Sequence, residues 1–295
     1  LSLRYLSRVP LSEVFDGLIW PRTAVTPGSV RALSSREFGE DDIVIASYPK
    51  SGTTWVSEIL SAIVHGEDTD ALSSIMLEIR APWLELDRSI LPAGHFLNCP
   101  SAKFSKTKNV WITHLPLRHL PASIKLLYMA RNPKDQAVSY YHFHKMTRYL
   151  GQQNDLAWDD FFSLFCSGAL CWGDWFDHVL AYWKFAQANP NAKFIFYEDL
   201  KKDLLKGVTE LEKFIDTHLT LERRSWVVEH CSFEAMKDNT MANRSLLPNF
   251  DDKIGKFMRK GIVGDWKNCF TTTQSEAFDE LYKKKFEGSG LHFTF

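Results

Sequence analysis

Four short segments combine residue types that could do chemistry on a phosphorylated ligand. The first is Tyr48-Pro49-Lys50-Ser51-Gly52-Thr53-Thr54-Trp55, which follows an apolar run and precedes a helical pattern. Gly52 permits a tight turn, and a helix N-terminus offers free N–H groups at the positive end of its dipole. Ser51, Thr53 and Thr54 add hydroxyls and Lys50 a charge, so the segment suits a phosphate cradle. It is not a Walker A loop, because the Lys precedes the Gly and no second Gly stands four residues earlier. A capped helix after a strand is the plainer alternative. The second segment, Arg131-Asn132-Pro133-Lys134-Asp135, places a guanidinium where it could clamp another phosphate, with Ser139 two turns further on. An N-cap with a surface salt bridge would explain it as well. The third is Phe257-Met258-Arg259-Lys260-Gly261, two cations and a Gly in loop sequence, suited to a phosphate reached by side chain and backbone together, or to a solvated basic turn. The fourth is His114 in Ile112-Thr113-His114-Leu115-Pro116, where a neutral imidazole could act as general base or could be structural. Together they imply a nucleotide with phosphates at both ends and an acceptor to be deprotonated.

The elements that must position these groups are legible from apolar patterning. Residues 42–47, 110–113, 124–130 and 193–197 read as strands buried on both faces. Helical patterns alternate with them: 54–65, one opened by Asn132-Pro133, then 175–187, 201–216 and 221–231. Thr273-x-x-Glu276 reads as a capping box before a last helix over 274–286. This alternation implies an α/β fold, a central parallel sheet flanked by helices. In such sheets ligands bind beyond the carboxyl ends of the strands, which directs attention to residues 48–55, His114, Arg131, Tyr197 and Glu198. Segments 21–35, 100–109 and 238–256 resemble linkers, but none is long enough to divide domains, so one domain over 1–295 is expected.

Composition excludes several classes. With 35 basic and 36 acidic residues the net charge is -1, so neither nucleic acid nor an anionic membrane is an expected partner and any anion site is local. The apolar fraction of 45% is too high for disorder. Its 10 Trp and 21 Phe fit a large core or an apolar ligand pocket. The five cysteines are odd in number and form no C-x-x-C pair, so free thiols are expected rather than disulfides or a zinc site. No run of 18 apolar residues spans a membrane, and the N-terminal LSLRYLSRVPLSEVF lacks a signal-peptide shape, so a cytoplasmic location is expected.

The motifs resemble those of the cytosolic sulfotransferases, over nearly the whole chain. The family's 5′-phosphosulfate loop reads YPKSGTTW, as here. Its 3′-phosphate segment R-N-x-[KR]-D with a later Ser is matched by Arg131, Asp135 and Ser139. Its R-K-G-x-x-G-D-W-K is matched from Arg259 to Lys267, and its T-H-L-P by His114. The resemblance implies a nucleotide-kinase-like fold and 3′-phosphoadenosine 5′-phosphosulfate (PAPS) as donor, with adenosine 3′,5′-bisphosphate (PAP) as product and no metal. It implies that Lys50, Ser51, Gly52, Thr53 and Thr54 hold the 5′-phosphate, and Arg131, Ser139, Arg259, Lys260 and Gly261 the 3′-phosphate. Trp55, Phe233 and Phe257 would line the adenine site, with Tyr197, Cys231 and Met258 beside it. His114 would take the acceptor proton, Lys50 would neutralise the leaving oxygen, and Ser139 would hold Lys50 away until the acceptor binds. A catalytically silent nucleotide binder is the alternative; a nucleotide kinase would need the missing Walker A loop.

Two positions depart from the phenol-type pattern: Ile112 stands where that branch has Lys, and Cys231 where Thr is usual. Arg80-Ala81-Pro82-Trp83 looks like the hydroxysteroid branch, whereas SYYHFH at 139–144 looks like the phenol branch. Phe15, Trp83 and Phe143 fall where the family has apolar acceptor walls, and Tyr149 on a lid, which implies a small hydroxylated apolar acceptor. Lys267-x-x-x-Thr271-Thr272-x-x-x-Glu276 resembles the family's dimer motif and implies a homodimer through 267–276.

Overall fold

The computed structural model describes residues 11–66, 68–90, 108–150, 155–251 and 253–295, and of Tyr149 only the backbone. The first elements among the described residues are a hairpin, β1 (Ser12–Phe15) and β2 (Leu18–Pro21), which pair antiparallel. Asp16 and Gly17 both hold positive φ, as a tight hairpin turn of matching twist requires. Helix α1 (Pro27–Leu33) follows, capped by Thr26. It lies inside a stretch that the sequence reading takes as linker, because the short capped helix carries only Val30 and Leu33 to the core.

The main sheet begins with β3 (Asp42–Ser47), which leads into α2 (Thr53–His65). Two short helices, α3 (Thr69–Ser74) and α4 (Leu77–Arg80), precede β4 (Asn109–Thr113). Then come β5 (Lys125–Ala130), α5 (Pro133–Met146), α6 (Trp158–Cys166), α7 (Trp175–Ala188) and β6 (Ala192–Phe196). The predicted helix over 201–216 is instead two, α8 (Tyr197–Lys202) and α9 (Leu204–Phe214), because Asp203, in a non-helical conformation, ends the first and caps the second. Helices α10 (Leu221–His230) and α11 (Phe233–Asp238) follow, and α12 (Thr272–Phe286) is the last. Its capping box is Thr271 with Gln274, not Thr273 with Glu276; both pairs have the right spacing, and the earlier one begins the helix.

Strands β4-β3-β5-β6 lie in that order, all parallel. Alternate residues feed two cores. Val44, Ala46, Leu126 and Tyr128 face one, with Val138 of α5 and Phe176 of α7. Ile43, Ile45, Leu127 and Met129 face the other, with Ile59 of α2 and Val208 of α9. Each fully buried Val, Leu, Ile, Met or Phe side chain among them contributes about 1.5–3 kcal/mol of transfer free energy. The connections from β3 and β5 therefore leave to opposite faces of neighbouring strands. A crevice opens between the carboxyl ends of such strands, and the first two motifs begin there.

Candidate functional site

A cavity of about 660 Å³ opens at that crevice. Its floor is the turn after β3. Lys50 takes a positive φ of 71°, a left-handed conformation costing a side-chain-bearing residue about 1–3 kcal/mol. Gly52 takes φ 103°, where a β-carbon would also come within 2.8 Å of the Tyr197 ring. No side chain caps α2, so its first-turn N–H groups have no side-chain acceptor. Gln136 of α5 fixes the turn from below: Nε2 donates to the Pro49 carbonyl and to Ser51 Oγ at 2.7 and 2.8 Å, while Oε1 accepts from Trp175 Nε1. Ser51 is thereby buried and does not line the cavity; its hydroxyl closes the turn onto the Tyr48 carbonyl.

Lys50 Nζ lies 3.7 Å from the centre of the Phe257 ring and 4.8 Å from that of Phe143. Burial, with the guanidiniums of Arg244, Arg131 and Arg259 nearby, pushes this ammonium well below its ordinary range. Arg131 follows β5. Its Nη1 donates to the Lys50 carbonyl and its Nη2 to the Ile262 carbonyl, while the guanidinium lies 4.4 Å over the Tyr197 ring. Its buried Nε has no partner. Arg259 and Lys260 both bind the Asp265 carboxylate at 2.6 Å, and Asp265 is held well below the ordinary carboxylate range, the hydrogen bonds from Lys260, Asn268 and Arg259 outweighing its burial. The turn carrying them is docked onto α5 by Asp135, which accepts from the N–H groups of Gly264 and Trp266. Gly261 has φ 65°, and a β-carbon there would come within 2.1 Å of Phe233, so backbone and ring are in direct contact. Trp55, Tyr197, Phe233 and Lys201 close this end. Cys231 does not line it: its thiol is buried in the core, and its carbonyl accepts from Trp55 Nε1 at 2.7 Å.

His114 stands just past the end of β4, at the junction of this end with an apolar one. Its Nδ1 donates to the Ser47 carbonyl at 2.7 Å, which fixes the tautomer and leaves Nε2 as the basic nitrogen. Ser47 Oγ lies 2.7 Å from Thr53 Oγ1, so the base and the turn share one hydrogen-bonded chain. Burial, with smaller contributions from His178, Arg244 and Lys50, pushes the imidazole down to about 3. Glu85 accepts from the His114 N–H at 2.8 Å, and burial pushes its carboxyl up to about 7. Beyond His114 the walls include Trp83, Phe143, Leu86 and Phe250, together with Glu78 and Arg244. Ile112 is fully buried in the core behind this wall.

The sequence model described as the sulfotransferase domain matches residues 40–290. The chain belongs to the sulfotransferase family. It is 41% identical over 268 residues to sulfotransferase 1C2 of Oryctolagus cuniculus, covering 88% of each chain. It is 38% identical to sulfotransferase 1A1 of Bos taurus, over 98% of this chain and 95% of that one. Among solved structures, mouse sulfotransferase SULT7A1 complexed with PAP superposes with a TM-score of 0.73 at 31% identity, covering 95% of each chain.

Of the sulfotransferase site residues expected from sequence, the cavity gathers Lys50, Gly52, Thr53, Thr54, Trp55, His114, Arg131, Ser139 and Tyr197, and Phe233 with the run from Phe257 to Gly261. It also gathers Trp83 and Phe143. Phe15 is elsewhere: its ring stacks on Trp20 at 4.7 Å, held by the hairpin turn. The side chain of Tyr149 lies outside the described residues. Sequence reasoning missed Gln136, Asp135 as a docking residue, Lys201, Glu85, Glu78 and Arg244. Gln136 and Asp135 stood within or beside a recognised motif, whereas nothing local marks Glu78 or Arg244. Among the described residues, no group of three or more His, Cys, Asp or Glu gathers as metal ligands would, and no helix is long and apolar enough to cross a membrane.

Proposed function

We infer that the chain transfers the sulfuryl group of PAPS to a hydroxyl of a small acceptor, releasing PAP. The observation that carries this reading is the meeting of Lys50 and His114 Nε2 in one cavity at the crevice between β3 and β5, in a chain of this family. The residues fit the donor. Arg131 offers an unpartnered buried N–H, and Gly52 and Gly261 leave backbone where a side chain would intrude. Lys50, Thr53, Thr54 and the start of α2 would hold the 5′-phosphate end. Arg131, Ser139, Arg259, Lys260 and Gly261 would hold the 3′-phosphate, with Trp55 and Phe233 on the base.

The donor supplies a sulfur centre with a phosphate leaving group. His114 Nε2 accepts the proton of the acceptor hydroxyl as that oxygen attacks. Lys50 stabilises the charge developing on the departing oxygen, in a site shielded from water. Lys50 and Arg244 help to hold the imidazole neutral. An anion bound among these cations offsets their effect, so the base strengthens when the donor is in place. Trp83 and Phe143 offer an apolar wall to the acceptor body.

A single domain over 1–295, a cytoplasmic location and a homodimer through 267–276 complete the reading. Lys267, Thr271, Thr272 and Glu276 are exposed, as a contact surface requires. Incubation with PAPS and pooled phenols, hydroxysteroids and alkyl alcohols in a chelator, read by mass spectrometry, tests the activity; the absence of any sulfated product would refute it. Light scattering after size exclusion tests the dimer, and a clean monomer mass would count against it.

A further inference from the structure

The cavity contains a buried ion pair whose only part in the transfer step is the share of Arg244 in holding His114 neutral. Resting on the sulfotransferase reading, we propose that Arg244 and Glu78 form a polar subsite for a second oxygen function on the acceptor, a carbonyl or carboxyl group about one aromatic ring away from the hydroxyl that is sulfated.

Glu78 lies on α4 and Arg244 in the loop after α11. The Leu77 N–H donates to the Met241 carbonyl at 2.8 Å, which docks that loop against the helix and sets the two side chains opposite each other. Arg244 Nε is 3.0 Å from Glu78 Oε1, and the side chains are only 9% and 2% exposed. The pairing is one of charge without hydrogen-bond geometry: Arg244 Nε and Nη2 and both Glu78 carboxylate oxygens have no hydrogen-bond partner, and both residues line the cavity. A buried donor and acceptor left open are costly, and an apolar pair of similar volume would serve the fold at least as well. Arg244 also adopts φ 64°, a conformation that a side-chain-bearing residue keeps only where the surroundings enforce it.

The position sets the reach. The Arg244 guanidinium lies 5.5 Å from the centre of the Trp83 ring, and that ring lies 4.6 Å from the His114 imidazole. Both groups therefore border the Trp83 ring, and a molecule with its hydroxyl at His114 can reach Arg244 along that ring. Because Glu78 already balances the guanidinium charge, a neutral carbonyl oxygen suffices on Nη2. The open Glu78 Oε2 accepts an N–H or O–H beside that carbonyl. A hydrocarbon end would leave both groups unsatisfied, and a site built to hydrogen-bond its substrate rejects the analogue that cannot.

Three phenols of similar shape test this: para-hydroxyphenylacetamide, para-hydroxyphenylacetate and para-isobutylphenol. The unmodified enzyme is expected to show kcat/KM at least about tenfold higher for an oxygenated acceptor than for the isobutyl compound. The double substitution Glu78→Met/Arg244→Met removes both charges together and leaves no lone buried ion. It should bring that ratio to one or below, with the change mainly in KM, and Arg244→Lys should keep the charge but lose most of the preference. Thermal unfolding checks that the variants are folded. A ratio near one in the unmodified enzyme would overturn the proposal. So would an equal loss on all three acceptors in a folded double variant, which would place Arg244 at the transfer step. If the pooled acceptors of the activity assay give no product either, the sulfotransferase reading itself fails.

Discussion

At the donor end of the cavity, Lys50, Gly52 and Arg131 follow directly from neighbouring parallel strands, whereas at the acceptor end Glu78, Trp83 and Arg244 come from a short helix and two loops. Strand register fixes the first group: Ala46 pairs with Tyr128 and Ser47 with Met129, so the turns that follow begin side by side. In the second group Trp83 also has a sheet partner, bridging Ile112 of β4, whereas Glu78 and Arg244 depend on local docking such as the bond from the Leu77 N–H to the Met241 carbonyl. Position at one end is inherited from the sheet, and at the other only that of Trp83 is, while Glu78 and Arg244 are placed by a short helix and a loop. The first arrangement suits a ligand that never changes. The second allows the far wall to change its chemistry while the sheet stays intact.

This contrast can be broken by substitution. The largest effect is expected at the junction. His114→Ala should lower kcat by about 10²–10⁴ for every acceptor. Calorimetry should find PAP binding nearly unchanged, because the imidazole faces the hydroxyl rather than the phosphates; a matching loss of affinity would remove it from the role of base. Gly261→Ala comes next. Its β-carbon meets Phe233 at a positive φ, so PAP affinity should fall by about 1–3 kcal/mol, again irrespective of acceptor. Unaltered affinity would separate that turn from the nucleotide. Gln136→Leu leaves the Pro49 carbonyl, Ser51 and Trp175 Nε1 without their partner, and should lower stability to chemical denaturation by about 1–3 kcal/mol. An unchanged denaturation midpoint would show that the turn stands without it.

The smallest effect expected is a shift with pH. Burial foremost lowers His65, His114, His119, His142, His144 and His178 below their ordinary value. The unfolded chain therefore binds the extra protons first, and stability falls as pH drops from about 6.5 toward 4. Glu78, Glu85 and Glu198 are raised by burial and act in the opposite sense, since the folded state holds their protons longer. Six imidazoles against three carboxyls leave a net loss on acidification. Thermal unfolding at pH 7.5 and 5 checks the sign, and a higher melting temperature at pH 5 would reverse it.

The donor end was readable because its chemistry is local. Residues 48–55 carry turn, charge and helix start in eight consecutive positions, and the apolar runs before Tyr48, His114 and Arg131 announce parallel strands. The hairpin at Asp16-Gly17 is equally local, and it stacks Phe15, which the resemblance places on the acceptor wall, onto Trp20 outside the described lining of the cavity. Cys231 stands beside the adenine-end residues in sequence, but the last turn of α10 directs its thiol into the core and only its carbonyl toward Trp55. Glu78 and Arg244 could not be paired from sequence. Glu78 stands in a largely apolar run and Arg244 in a mixed loop, with no spacing that links them, and they meet only because the loop after α11 folds back onto α4.

Asp265 gives Arg259 and Lys260 a carboxylate within the chain itself. On the proposed function, a phosphate held by these two cations would compete with that carboxylate, which stays beside them on the same chain at a high effective concentration. The grip on the polyanion would then be tempered by a group built into the site.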